Sequence, residues 1–246
     1  MSSSFLPNKV FRLYVVSTEE EALPIIEYFN LFRINATSIR DGVFTHINYK
    51  TLGPNWNILT ESFKIFSNPI GLENILIISG VGKVKSSIAA ATGITLFDPS
   101  EVINIGLCGT LKPKIYKNAQ ILNVSKVFQH DCYVPIKGKN FDELFEIITL
   151  DTSKSKNNPK LSQYECVKLA TGDSFIDNKN LRNNLAEIAD IVDMEGYSIA
   201  KTCLMMNKSL QIFKMIAYSL DRNSKRDFIR TILSYKKNIS LFLENL

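Results

Sequence analysis

Glu195 and Asp221 are the two carboxylates whose setting invites chemistry. Both lie in the stretch from Asp190 to Arg222, DIVDMEGYSIAKTCLMMNKSLQIFKMIAYSLDR. Glu195 follows a short apolar approach, Ile191 and Val192, inside Asp193-Met194-Glu195-Gly196, and a helical run comes after it. Asp221 ends the apolar segment from Ile212 to Leu220. Open α/β sheets build their ligand sites where strands meet helices, so this pair is expected to handle a substrate. Three further acids, Glu19, Glu20 and Glu21, follow Ser17 and Thr18. Read from the residues alone they are a helix start, with an N-cap hydroxyl and negative charge in the positive first turn. His46 sits on the polar parity of an alternating segment and reads as a surface histidine. His130 and Asp131 are strand neighbours, which point to opposite faces and so cannot form a simple dyad. A structural or rim role suits them better.

The elements that must position these residues follow from the pattern. Phe11 to Val16 is a β-branched and aromatic run, and the helix after it carries Leu23, Ile25, Ile26 and Phe29 as apolar residues. Val43, Thr45, Ile47 and Tyr49 alternate after an Asp-Gly turn and predict a half-exposed strand. NILII at 74–78 reads as a buried strand that breaks at Ser79-Gly80-Val81-Gly82-Lys83 and becomes a helix to about Phe97, with Val84, Ile88 and Ala91 on one face. The glycine turn offers anion-binding amides at a helix start. Its spacing is nevertheless neither GxxxxGK[ST] nor GxGxxG, and glycines for a tight turn and close packing explain it as well.

EVINI at 101–105 is a second strand, ending in Gly106-Leu107-Cys108-Gly109; the strand, helix, strand order predicts a βαβ crossover and a mainly parallel sheet. Ala119 to Phe128 and Tyr164 to Ala170 read as further strands, residues 152–160 (TSKSKNNPK) as a mobile polar loop, and Ser224 to Leu246 as an amphipathic helix. Phe175 and Ile176, in the turn Thr171-Gly172-Asp173-Ser174-Phe175-Ile176, offer a flat apolar surface for a ring.

Composition narrows the function classes. A chain of 246 residues with 45% hydrophobic content can bury one large core. Residues 1–10 are expected to be a flexible N-terminus and 11–246 one α/β domain. The 29 basic and 24 acidic residues are interleaved, and a net charge of +5 so distributed argues only weakly for nucleic acid, so no nucleic-acid partner is expected. Cys108, Cys132, Cys166 and Cys203 are far apart, without metal spacing or a disulfide framework. No apolar run approaches the ~20 residues that span a bilayer, and MSSSFLPNKV is too short and polar for a signal peptide. A cytoplasmic protein with no membrane partner is expected.

Several segments together carry a resemblance. SGVGKV (79–84), VINIGLCGTL (102–111), the strand ending at His130 and Asp131, TGDSFI (171–176), VDMEG (192–196) and the apolar strand ending at Asp221 resemble, in order and approximate spacing, the nucleoside phosphorylase family. Within it the chain is most similar to the methylthioadenosine/S-adenosylhomocysteine nucleosidases, from about Phe11 to the C-terminus. The resemblance implies a single-domain three-layer αβα fold with a central mixed, largely parallel twisted sheet, and a homodimer. It implies that Glu195 binds the ribose hydroxyls with Met194 beneath the sugar, that Asp221 is the general acid at purine N7, and that Glu21 activates the attacking water. Phe175 and Ile176 match the positions that hold adenine by stacking and main-chain contacts, and Cys108 and Gly109 also fall at the substrate. No cofactor or metal is implied.

The implied reaction is hydrolysis of the N-glycosidic bond of a 5′-modified adenine nucleoside, which puts positive charge on the sugar and negative charge on the departing base. The chain departs from the pattern in four places. Asn104 stands where phosphorylases carry a phosphate-binding arginine, which favours hydrolysis. Leu107 replaces a hydroxyl residue, Ala217 stands where the nucleosidases have an arginine near the water, and Leu220 replaces a serine. Two alternatives therefore stand beside the hydrolase: a phosphate-dependent purine nucleoside phosphorylase, and a catalytically degenerate nucleoside-binding member.

Overall fold

Buried, uninterrupted apolar strands dictate the centre of the fold. In the computed structural model, β1 (Arg12–Val16, RLYVV) is buried from Leu13 onward and pairs in parallel with β4 (Asn74–Ile78) on one side and β5 (Glu101–Thr110) on the other. Such runs need cover on both faces. The structure describes residues 11–34, 62–68, 73–132, 146–176, 179–219 and 224–246. The expected N-terminal segment 1–10 and the expected strand at 43–49, with His46, lie outside the described residues.

Outward from β4 run β3 (Lys64–Ser67) and β2 (Phe32–Ile34), both antiparallel. In the other direction β6 (Ile121–Gln129), β8 (Cys166–Thr171), β9 (Ile191–Asp193) and β10 (Ser209–Ser219) complete one ten-stranded sheet, with β7 (Ile148–Thr149) paired to β6. β10 pairs with both β5 and β6, so β10, β6, β8, β9 and β5 form a closed circuit of pairings. The sheet is mixed: parallel and antiparallel strand pairings are equally many among the described residues, but the parallel ones are on average the longer and hold most of the paired residues. The crossover from β4 to β5 is of the βαβ type, and the antiparallel pairings come from short edge strands and from the closure, which no local pattern announces.

Alternate strand residues feed two cores. Leu13, Val15, Ile75, Ile77 and Val102 pack with α2 (Lys83–Phe97) and α5 (Gly196–Met205), whereas Tyr14, Val16, Leu76, Ile103 and Ile105 pack with α1 (Glu19–Phe29) and α6 (Ser224–Leu243). In α1 the buried apolar residues are Ala22, Pro24 and Ile25, and Leu23 is exposed. The expected apolar face of α2 is also wrong: Val84 and Ile88 are exposed and the buried side is Ser86, Ala89, Ala90, Gly93, Ile94 and Phe97. Small residues let α2 approach α5 closely enough for the hydroxyls of Ser86 and Ser198 to meet at 2.7 Å and those of Ser87 and Thr202 at 2.9 Å. A Cβ on Gly93 would fall 2.7 Å from both Ile77 Cδ1 and Leu13 Cδ2. Gly93→Ala is therefore expected to cost about 1–3 kcal/mol by overpacking, against a helix-propensity gain of about 1. Urea unfolding of the variant measures the net loss.

Two other expectations change. The segment 152–160 holds a short helix, α3 (Ser153–Asn157), because Asn123 Nδ2 donates to Ser155 Oγ at 2.8 Å and Lys154 Nζ pairs with buried Glu101 at 2.9 Å. β5 runs on through Gly106-Leu107-Cys108-Gly109, which sequence alone reads as a turn, because its partner β10 stays paired with it to Thr110. α4 (Lys179–Ile188) lies between β8 and β9 and leads the chain back to the sheet.

Candidate active site

The site forms where the ends of β1, β5, β9 and β10 converge. α1 begins two residues after β1, and Thr18 and Glu21 form a capping box. Glu21 has a second duty. Its Oε2 accepts from Ser17 N at 2.8 Å and Ser17 Oγ at 2.5 Å, while its Oε1 reaches across to β5 and accepts from Leu107 N at 2.7 Å. The carboxylate is buried and held from both sides. Leu107 thus contributes its amide where a hydroxyl side chain was expected. A Cβ on Gly106 would lie 2.8 Å from Glu21 Oε1 and 3.2 Å from Lys214 Nζ, so glycine there leaves room for both side chains.

Asp193 and Glu195 approach from the turn after β9. Asp193 Oδ1 accepts from Thr171 Oγ1 at 2.6 Å, and its Oδ2 accepts from Gly196 N at 2.9 Å and pairs with Lys214 Nζ at 2.8 Å. Glu195 Oε1 accepts from Gly82 N at 2.9 Å, which leaves its second oxygen for a hydroxyl. Burial first, then Asp193 and Glu21, push its carboxyl up to about 7, although Lys214 and the Gly82 amide oppose the shift. The sign follows from where each state holds the proton. Between about 4.5 and 7 the native carboxyl keeps a proton that the unfolded chain has released, so stability falls as pH rises through that window. Thermal melts between pH 5 and 8 should show this slope in the wild type and lose it in Glu195→Gln.

Two amides of the glycine-rich turn are already taken by the chain's own carboxylates. Gly82 adopts φ 104°, which favours glycine, and its amide is taken by Glu195. The next amide, Lys83 N, donates to Asp173 Oδ1 at 2.8 Å, and Lys83 Nζ pairs with Asp131 at 2.5 Å. The Gly82 and Lys83 amides are therefore occupied without any outside anion. Asp131 also accepts from Asp173 N at 2.8 Å and so ties two loops at the rim, while burial lowers the His130 imidazole, which lies over Gly172.

A cavity of about 300 Å³ opens above these groups, walled by Glu21, Leu107, Cys108, Phe175, Met194, Glu195 and Tyr218 among others. Phe175 and Tyr218 stack with ring centroids 5.0 Å apart at 24°. The Tyr218 ring lies on Gly109, within 2.7 Å of where a Cβ would stand. Cys108 is buried, and burial pushes its thiol far up, which makes it a wall rather than a nucleophile. The side chain of Ile176 is not in the cavity; it packs with Phe128, Ala170 and Val192 in a small core of its own. Asn104 is not there either: buried inside the sheet, it donates to Val15 O at 2.8 Å, so its identity does not discriminate water from phosphate. Asp221 and Leu220 lie outside the described residues. Ala217, which stands where the resemblance would place an arginine, is buried at a bulge in β10 between Ile216 and Tyr218. Lys214, three residues earlier, is buried and pairs with Asp193. Sequence reasoning missed Lys214 and Tyr218; the one available signal was a lysine inside the apolar run IFKMIA.

Sheet-end carboxylates beside an aromatic wall, on an α/β sheet closed through its last strand, define the class of protein. Residues 46–244 match the model of the phosphorylase superfamily, and the chain belongs to that family. Glu21 precedes the matched segment. A 5′-methylthioadenosine/S-adenosylhomocysteine nucleosidase from Buchnera aphidicola subsp. Acyrthosiphon pisum is 28% identical over 206 residues, covering 76% of this chain and 87% of that one. In fold, the chain is similar to the Neisseria meningitidis enzyme of the same name, solved with methylthio-immucillin-A, at a TM-score of 0.73 and 19% identity, with 95% and 96% covered. It is similar also to futalosine hydrolase of Helicobacter pylori, at 0.72 and 20%, with 96% and 97% covered.

Proposed function

We propose that this chain is an N-glycosyl hydrolase that releases adenine from 5′-modified adenine nucleosides of the methylthioadenosine or S-adenosylhomocysteine type. The observation that carries the reading is the set of three buried carboxylates, Glu21, Asp193 and Glu195, around the one lysine ammonium buried among the described residues, below an aromatic wall. Negative charge there favours a sugar that turns cationic as its bond to the base breaks, and it disfavours an incoming phosphate dianion. In this reading Glu195 accepts the ribose hydroxyls, Met194 lies under the sugar, Glu21 orients and deprotonates the water, Phe175 faces the base, and Asp221 protonates it. Cys108 and Gly109 line the base end, and the main chain of Ile176 meets the adenine edge. No cofactor or metal ion enters the scheme.

Residues 11–246 are read as one catalytic domain of three αβα layers, with α2 and α5 on one face of the sheet and α1 and α6 on the other. A homodimer is supported by three exposed apolar residues, Val81 in the turn before α2, which borders the cavity, and Val84 and Ile88 in the first half of α2. A cytoplasmic location fits the free cysteines. Among the described residues no helix is long and apolar enough to cross a membrane.

The test is a panel of 5′-modified adenosines and futalosine, incubated with and without phosphate and assayed for the free base. Base release that ignores phosphate supports the hydrolase. Ribose 1-phosphate formed only with phosphate selects the phosphorylase, and tight binding with no product over hours selects the degenerate binder.

A further inference from the structure

Lys214 is a costly residue in an unusual place. Its side chain is 2% exposed in the middle of an apolar strand, and it is the one lysine buried among the described residues. A buried ion pair is rarely the cheapest way to fill a core, since well-packed apolar side chains of similar volume are often as stable or more so. Its neighbours point to a reason beyond packing. Nζ meets Asp193 at 2.8 Å, and Asp193 in turn holds Thr171 Oγ1 and Gly196 N, while Thr171 Oγ1 accepts from Tyr197 N at 2.9 Å. The ammonium therefore anchors a network that fixes the end of β8, the turn carrying Glu195 and the first turn of α5. On its other side it shares the space over Gly106 with Glu21. The charged and titratable groups that act on this cluster are Asp193 and Glu195 after β9, Glu21 on α1, Cys108 on β5, Tyr218 on β10 and Tyr235 on α6. Burial works against the ammonium, but the Asp193, Glu195 and Glu21 carboxylates outweigh it and hold Lys214 protonated.

We propose that Lys214 is the positioning cation of this site, holding Asp193, Glu195 and Glu21 in one working arrangement around the place of the sugar. This rests on the hydrolase reading for what the arrangement serves, but not for its existence. Without the ammonium three carboxylates face one another unbalanced, and the one that must accept ribose hydroxyls is discharged first.

Lys214→Met, Lys214→Arg and the double variant Asp193→Asn/Lys214→Met test it. In Lys214→Met, kcat/KM for adenine release is expected to fall at least tenfold and the acid limb of its pH profile to move up by about one unit, whereas Lys214→Arg keeps the limb in place. The double variant, neutral against neutral, is expected to regain the wild-type melting temperature without regaining kcat/KM. If it regains both, or if Lys214→Met melts early yet keeps its pH profile and its turnover, Lys214 is only a core ion pair and the proposal is wrong. Should the wild type release no base from any nucleoside, the hydrolase reading fails, and the melts still decide the point. A melting temperature that falls more steeply between pH 5 and 8 in Lys214→Met than in the wild type supports the arrangement, and equal slopes overturn it.

Discussion

Glu21→Gln is expected to lower kcat for adenine release by about 10²- to 10⁴-fold, the span over which a positioned general base contributes. The reason is geometric as well as chemical. Both carboxylate oxygens are already oriented by donors: Ser17 N and Oγ on one, Leu107 N on the other. A glutamine cannot take a proton from water, and its amide nitrogen must face at least one of those donors, which leaves a buried N–H pair in opposition. The variant should therefore lose about 1–3 kcal/mol of stability in addition, the usual cost of an unsatisfied buried polar group. KM is expected to change little, because the scheme gives the sugar and base contacts to Glu195 and Phe175. Steady-state kinetics with thermal melts of the same preparation separate the two effects.

Asp221→Asn is expected to produce a loss of similar size, about 10²- to 10⁴-fold, with a different signature. The described part of β10 ends at Ser219, one residue past Tyr218, whose ring walls the cavity. In the proposed reaction the aspartic acid at 221 delivers a proton to the departing purine, and asparagine has none to give. A substrate whose leaving group departs as a stable anion, such as a 4-nitrophenyl riboside, needs no such proton. Asp221→Asn should hydrolyse it nearly as fast as the wild type, while Glu21→Gln should fail on both substrates because both need an activated water. Equal losses on the two substrates in Asp221→Asn would remove the general-acid assignment and leave Asp221 a binding residue.

The balance between water and phosphate turns on the charge of the cavity floor. Asn104, the residue chosen from the sequence to decide the matter, faces the backbone of β1 inside the sheet. The amides of the glycine turn are occupied by Glu195 and Asp173. Among the described residues, what remains beside the cavity is the carboxylates of Glu21, Asp193 and Glu195, with the one buried ammonium paired to Asp193. A carboxylate-rich pocket stabilises a developing ribosyl cation and repels a dianion, and neither property can be read from any one position.

Local sequence was enough for the pieces. Short apolar runs such as LYVV and NILII, bounded by turn residues, read as buried strands, Thr18 with Glu21 is a helix cap by local chemistry, and VDMEG, TGDSFI and the apolar strand ending at Asp221 carry the family resemblance that implies roles for Glu195, Met194, Phe175 and Asp221. Those features depend on neighbours within a few residues. Other outcomes depend on which strand lies beside which, and only the tertiary structure decided them. Continued pairing of β5 with β10 turned GLCG from a turn into strand and placed Gly106 under both Glu21 and Lys214. Close approach of α2 to α5 buried its small residues and exposed Val84 and Ile88, because backbone proximity outweighed side-chain hydrophobicity there. Parallel pairing of β10 with β5 set Lys214 beside Gly106, and the turn after β9 brought Asp193 to it. A lysine in an apolar run has no meaning until the carboxylate that offsets its desolvation is brought to it from twenty-one residues away along the chain.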